Sequence, residues 1–339
     1  MTVSPSDEYL HPAPADVRGL WSDNLWFSIC DRQADVFGVN HIHATNVGYA
    51  RFSTCLVIDG VPMPWANKAP LDQQGKFDLL TEGHMSYEVV KPLEEIRIQF
   101  DGEKYGFDLT YTGRFPVFDY ADCIEGNPLL SADEYLTTGG SKHGGHYEQG
   151  LQCRGEFEVR SGPRPGRRTI DCFAHRDHSW TDRFLQASPW EYGPIDRQQS
   201  LGHFWPSIQT EDKHLNAFGY ISPDFPAAPG TPTIGGFLSD KDGSRAIRDA
   251  TCEIRLEDDG RSAMSFRYEI TLPNGEVIHV RTTRKYAQSV NGLMRGENDA
   301  ECRLDCYEGF FDFEFEETGE RGYGCAEYSI HPPFPRWRY

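Results

Sequence analysis

Short turn dipeptides punctuate this chain from end to end, and they restrict it to a fold of many short antiparallel strands. Asp59-Gly60, Asp101-Gly102, Thr112-Gly113, Asp242-Gly243, Asp259-Gly260 and Asn274-Gly275 each separate runs rich in β-branched or aromatic residues. Asp-Gly and Asn-Gly suit type I′ hairpins, because both central residues of that turn need positive φ. The clearest case is Ala263–Leu272, followed by Pro-Asn-Gly and then Glu276–Thr283. There Ser265, Arg267, Glu269 and Thr271 alternate with Phe266, Tyr268, Ile270 and Leu272, a two-residue period with one wet face. Gly106–Thr112 and Thr251–Leu256 alternate in the same way.

Helical patterning is scarce. Asp72–Leu80 and Asn127–Leu136 could form short helices, but neither sustains an apolar stripe of helical period. The expectation is an all-β chain of barrel or sandwich type rather than βαβ units. The Pro/Gly/Arg-rich run from Arg160 to Arg168 interrupts two β-rich halves. It suggests one domain over 15–160 and a second over 168–335. Ser222–Pro232 is a second Pro-rich stretch, expected as a long surface loop that could overhang a pocket mouth.

Composition narrows the function. The 339 residues carry a net charge of −19, a field that repels phosphate backbones and anionic lipid. Nucleic acid and membrane surfaces are therefore poor partners. The nine cysteines are scattered, with no C-x-x-C pair, which argues against a zinc ribbon or redox dithiol and suits a reducing compartment. The N-terminus is acidic and Pro-rich, without the basic and apolar regions of a secretory signal, and no run approaches a membrane span. A cytoplasmic location is expected. Aromatics make up 13% of the chain, enough for both a core and the lining of an apolar small-molecule pocket. The oligomeric state is open, with a homodimer as one option.

Three segments could carry chemistry. Cys172–Arg183 packs Arg176, Asp177, His178, Trp180, Asp182 and Arg183 into one short stretch. In a strand, Arg176, His178 and Trp180 face one way, with Asp177 and Ser179 facing the other. The competing reading is a structural ion-pair network, which resembles an active site in sequence. Lys142–Gln149 places His146, Tyr147, Glu148 and Gln149 at a strand start after Gly144-Gly145. Glu148 could be a general acid raised by burial, or simply the partner of Arg176. Trp190, Tyr192, Phe204, Trp205, Phe218 and Tyr220 form an aromatic group that is core or, in a hollow barrel, pocket wall.

The histidine pairs His41-x-His43, His143-x-x-His146 and His175-x-x-His178 could supply metal ligands, against the plainer reading of hydrogen-bonded structural histidines. No metal is assigned, and no cofactor is expected. There is no G-x-S-x-G elbow, no phosphate-cradling P-loop and no G-x-G-x-x-G fingerprint.

Arg176-Asp177-His178-Ser179-Trp180, with His146-Tyr147-Glu148-Gln149 upstream, resembles a bacterial family of tandem lipocalin-like domain proteins related to carotenoid 1,2-hydratase and AttH-like proteins. Trp21–Phe27 and Gly322–Tyr328 extend the resemblance over most of the chain. It implies two lipocalin-like β-barrel domains packed together, an apolar cleft at or near their interface, and no obligatory cofactor. It also implies an acid beside a tryptophan, here Asp177 with Trp180. One departure is Thr181, where relatives commonly carry glycine.

The resulting expectation is a cofactor-independent lyase or isomerase acting on a terpenoid-like or aromatic small molecule. Asp177 or Glu148 would donate the proton and His178 would assist. Arg176 would hold the carboxylates. Trp180, Trp205, Tyr147, Trp190, Phe204 and Tyr220 would line the pocket, with Trp180 and Trp205 shielding positive charge. The alternatives are a non-catalytic binder of the same ligands and an enzyme using a histidine-bound metal.

Overall fold

In the computed structural model, residues 3–15, 17, 20–46, 48–71, 78–128, 144–183, 200–221, 233–291 and 305–331 are described. The chain is all-β, built as two curled antiparallel sheets. One compact unit comprises Met1–Ala121 with His143–Asp182, and the other Asp122–Lys142 with Arg183–Tyr339.

The first unit contains β1 (Leu20–Asp31), β2 (Val36–Thr45), β3 (Tyr49–Ile58), β4 (Val61–Pro70), β5 (Leu79–Thr81), β6 (Met85–Lys91), β7 (Glu95–Asp101), β8 (Tyr105–Gly113), β9 (Phe118–Asp119), β10 (Gly145–Val159) and β11 (Gly166–Arg183). Their order is β4-β3-β2-β1-β11-β10-β8-β7-β6-β5, with β9 added to β10. The Asp59-Gly60 turn between β3 and β4 has both residues at positive φ, 54° and 74°, as a type I′ hairpin requires. Strands distant in this order meet through their side chains, which is what curls the sheet. Trp65 of β4 packs on Phe100 of β7 at 4.8 Å, and the Tyr105 hydroxyl donates to the Met63 carbonyl at 3.0 Å.

The second unit contains β12 (Ser200–Gln209), β13 (His214–Tyr220), β14 (Gly235–Asp240), β15 (Gly243–Ala246), β16 (Asp249–Leu256), β17 (Ala263–Thr271), β18 (Val277–Asn291), β19 (Asp305–Phe315) and β20 (Arg321–His331). The order is β15-β14-β13-β12-β20-β19-β18-β17-β16. Its core joins Phe204, Phe266, Tyr268, Phe311 and Tyr328, all buried. The hairpin expected at Asn274-Gly275 joins β17 to β18, with only Gly275 at positive φ, so its loop is not type I′.

Two sequence expectations come out differently. Arg160–Pro165 of that run is the turn between β10 and β11, and Gly166–Arg168 open β11; the two strands pair from Val159↔Gly166 to Gly145↔Trp180 in one sheet. The chain therefore divides after β11 rather than at residue 168, because β11 also pairs with β1. Of the proposed helix at Asp72–Leu80, residues 72–77 lie outside the described residues, and Leu79 and Leu80 belong to strand β5. The helix proposed at Asn127–Leu136 and the loop at Ser222–Pro232 lie largely or wholly outside them too. No helix among the described residues is long and apolar enough to cross a membrane.

Candidate functional site

Strand alternation splits the residues of β10 and β11 into two clusters on opposite sides of the first sheet. In the antiparallel register Tyr147 faces His178, Gln149 faces Arg176, and Gly145 faces Trp180. Between them Glu148 faces Asp177, and His146 faces Ser179. Side chains directly opposite share a side of the sheet, so the two sets cannot mix.

The core-facing cluster is a continuous buried network. Arg176 donates from Nη1 to both Glu8 oxygens at 2.8 and 2.9 Å, and from Nε to Gln149 at 3.0 Å. Glu8 also accepts from the Tyr87 and Tyr147 hydroxyls at 3.0 and 3.2 Å and from the Leu93 amide at 2.6 Å. The Tyr147 hydroxyl sits 3.1 Å from His178 Nδ1, and His178 Nε2 sits 3.2 Å from Asp23. Asp23 in turn meets His11 Nδ1 at 2.8 Å, and the His11 ring stacks on Trp180 at 3.7 Å.

Electrostatics follow from that geometry. Burial alone would raise the Glu8 carboxyl, yet the Arg176 charge and the donors around it hold it below the ordinary range. Asp23 is likewise pushed up by burial and brought down further by His11 and His178. His178 is lowered, chiefly because burial disfavours the imidazolium. Tyr147 is driven well up by burial and the neighbouring Glu8, so its hydroxyl keeps its proton.

On the opposite side of the same strands, Glu148 lies between two imidazoles. His146 Nε2 is 3.0 Å from one carboxylate oxygen and His175 Nε2 is 3.0 Å from the other. The Asp177 carboxylate is 3.6 Å from His146 Nε2. Glu148 and His146 are fully buried, whereas the Asp177 side chain is 21% exposed. Two aromatic rings flank the group: Tyr120 against His146 at 4.1 Å, and Trp26 edge-on to His175 at 5.9 Å. Burial pushes Glu148 up, but hydrogen bonds from His146 and His175 bring it below the ordinary range. The Glu148 carboxyl is thus held ionised between the two imidazoles, where the sequence suggested an acid raised by burial.

The structure brings Asp177 and Glu148 together and places His178, Tyr147, Arg176 and Trp180 on the other side. Asp177 and Trp180, three residues apart, face opposite ways. Arg176 is taken by Glu8 rather than by Glu148. Phe204 is in the core of the second unit, and Trp205 is buried on the reverse side of that strand. Tyr220 is half-buried, edge-on to Phe218. Trp190 lies outside the described residues, as do the side chains of Asp182 and Arg183. His41 and His43 have rings 6.3 Å apart. They join neither His146, Glu148 and Asp177 nor His11, Asp23 and His178, the groups of the first unit whose ligand atoms lie within 4.8 Å of one another.

Sequence reasoning missed Glu8, His11 and Asp23. For Asp23 a signal existed, since strand alternation puts it on the same side of β1 as Trp21, Leu25 and Phe27.

Two curled β-sheets in one chain define the class of fold, and solved structures share it. An AttH candidate from Nitrosomonas europaea superimposes with a TM-score of 0.61 at 12% identity, over 98% of this chain and 97% of that one. CghA matches with a TM-score of 0.56 at 10% identity, over 94% of this chain and 90% of its own. CghA with Sch210972 gives the same TM-score over 93% and 88%. The chain itself belongs to the family described as a domain of unknown function, DUF7064, whose model matches residues 4–332. A search of curated proteins by sequence finds no match.

Proposed function

We propose that this protein performs cofactor-independent acid–base chemistry, of hydratase, dehydratase or cyclase type, on an apolar terpenoid-like or aromatic small molecule. The observation that carries the reading is the Asp177–His146–Glu148 cluster: a partly exposed carboxyl group and a buried carboxylate both face Nε2 of one buried imidazole. This is the general logic of a proton-transferring group positioned by a second and charge-balanced by a third.

Asp177 is the group that meets the substrate. In the hydration direction its proton goes to an alkene carbon, water adds to the resulting cation, and the water's proton returns to Asp177 through His146. Glu148 stabilises the imidazolium that forms in passing. Tyr120 and Trp26 supply aromatic surface beside the relay, a role that sequence reasoning gave to Trp180 and Trp205. That CghA, of similar fold, has been solved with Sch210972 supports a ligand-holding role for such a fold.

The test is incubation in D2O with a panel of terpenoid alkenes, terpenoid alcohols and aromatic ethers, read by mass spectrometry for deuterium uptake and for gain or loss of water. Turnover by the wild type that falls at least about 10²-fold in Asp177→Asn supports the assignment. Turnover unchanged in Asp177→Asn sinks it. Ligand binding with no turnover would favour a binding protein built on the same fold.

A further inference from the structure

The second unit carries a cluster that the acid–base reading does not use. His203 on β12, Cys306 on β19 and Glu327 on β20 each offer one ligand atom within 4.8 Å of the others. The strands are neighbours in the order β12-β20-β19, and Cys306 lies directly opposite Ser329, two residues along β20 from Glu327. His203 reaches the group through an irregularity. The pairing of β12 with β20 slips between Leu201 and Phe204, a β-bulge of the kind that re-aims a side chain.

The imidazole is held at both ends. Ser329 Oγ is 2.9 Å from His203 Nδ1 and also accepts from the His203 backbone amide at 2.9 Å. That leaves Nε2 directed at Glu327 Oε1, 2.7 Å away. Cys306 is 1% exposed and Glu327 9%, while the His203 side chain is 15% exposed, so the group is largely shielded.

We propose that His203, Cys306 and Glu327 form a zinc site. Thiolate, imidazole and carboxylate together suit a borderline-soft, tetrahedral cation, and hard cations such as Mg2+ or Ca2+ would not choose a thiolate. Three protein ligands leave the fourth position for water or a ligand oxygen. Ser329 is the supporting residue that fixes the imidazole's orientation, as partners of metal-bound histidines do. Zinc displaces the Cys306 thiol proton on binding, and Ser329 can hold the His203 proton at Nδ1, which leaves Nε2 for the cation.

The experiment uses the full chain stripped of metal and titrated with Co2+ as a spectroscopic stand-in, alongside elemental analysis for zinc. The expected result is about one cation per chain and a near-ultraviolet thiolate-to-cobalt charge-transfer band. The band should disappear in Cys306→Ser and persist in Cys325→Ser, whose thiol donates to Glu308 at 3.2 Å instead. Ser329→Ala should bind zinc about 10–100-fold more weakly while keeping the band at saturating Co2+. The wild-type titration alone can overturn the site even if a variant fails to fold. No charge-transfer band and no retained zinc in the wild type would overturn the site, as would a band that survives Cys306→Ser.

Discussion

Glu8 and Arg176, 168 residues apart in the chain, form a buried two-oxygen ion pair at 2.8 and 2.9 Å. Glu8 also accepts from two tyrosine hydroxyls and a backbone amide, and Arg176 also donates to Gln149, so the pair works as a junction rather than a lone bridge. Removing one partner from such a pair leaves a charge without water or counter-ion. Glu8→Ala is expected to cost about 3–5 kcal/mol of stability. Combining it with Arg176→Met should recover much of that loss. Urea unfolding of the single and double variants checks both statements, and purely additive losses would show that the pair is not the source.

The pH dependence follows from the same network. Glu8, Asp23 and Glu148 all have folded values below the ordinary carboxylate range. A depressed carboxyl contributes stability that is complete above its unfolded value and lost as pH falls through its folded value. His178 is also lowered, so the unfolded chain takes up a proton there first, below about pH 6.5. Stability should therefore decline below about pH 6.5 and fall steeply below about pH 4. Melting temperatures measured from pH 8 to pH 3 report this, and Glu8→Gln should flatten the steep acid limb.

Gly145 faces Trp180 so closely that a methyl group placed there would lie 2.1 Å from the indole ring. Gly145→Ala must shift the indole off the His11 ring on which it stacks. A loss of about 1–3 kcal/mol is expected, the usual cost of overpacking. A changed tryptophan emission spectrum in the folded variant would show the displacement, whereas an unchanged spectrum and stability would show that the strand yields instead.

The two carboxylates of the relay should separate by phenotype. Glu148→Gln removes the charge between His146 and His175 and leaves buried groups poorly matched, a loss of about 1–3 kcal/mol. Asp177, partly exposed, should tolerate Asn within about 0.5 kcal/mol. Chemical denaturation reads the stabilities.

Much of the fold was legible in the sequence, because a strand's alternation and its turn residues are local properties. The Asp59-Gly60 turn and the β17–β18 hairpin were both visible, and so was the division of β11 into two sides. The boundary between the units was not. The turn between β10 and β11 has the same composition as a linker, and only the pairing of β11 with β1 assigns it to the first sheet. For the site, Asp177 and Glu148 were named, and their shared side follows from register. Glu8 was hidden because its partners are far along the chain and its surroundings are Pro-rich and acidic, the composition of a solvated tail. The opposed orientations of Asp177 and Trp180 were implicit in their odd spacing, which overrides their closeness in sequence.

The adjacency of β1 and β11 bears on how the protein is made. During synthesis the ribosome delivers β1 first, and some 140 residues must follow before the strand that completes its pairing emerges. Until then the seam side of β1 is an unsatisfied edge, open to pairing with any extended chain nearby. The first unit is thus committed to waiting, and slow translation or truncation ahead of β11 should yield aggregates rather than a smaller folded protein.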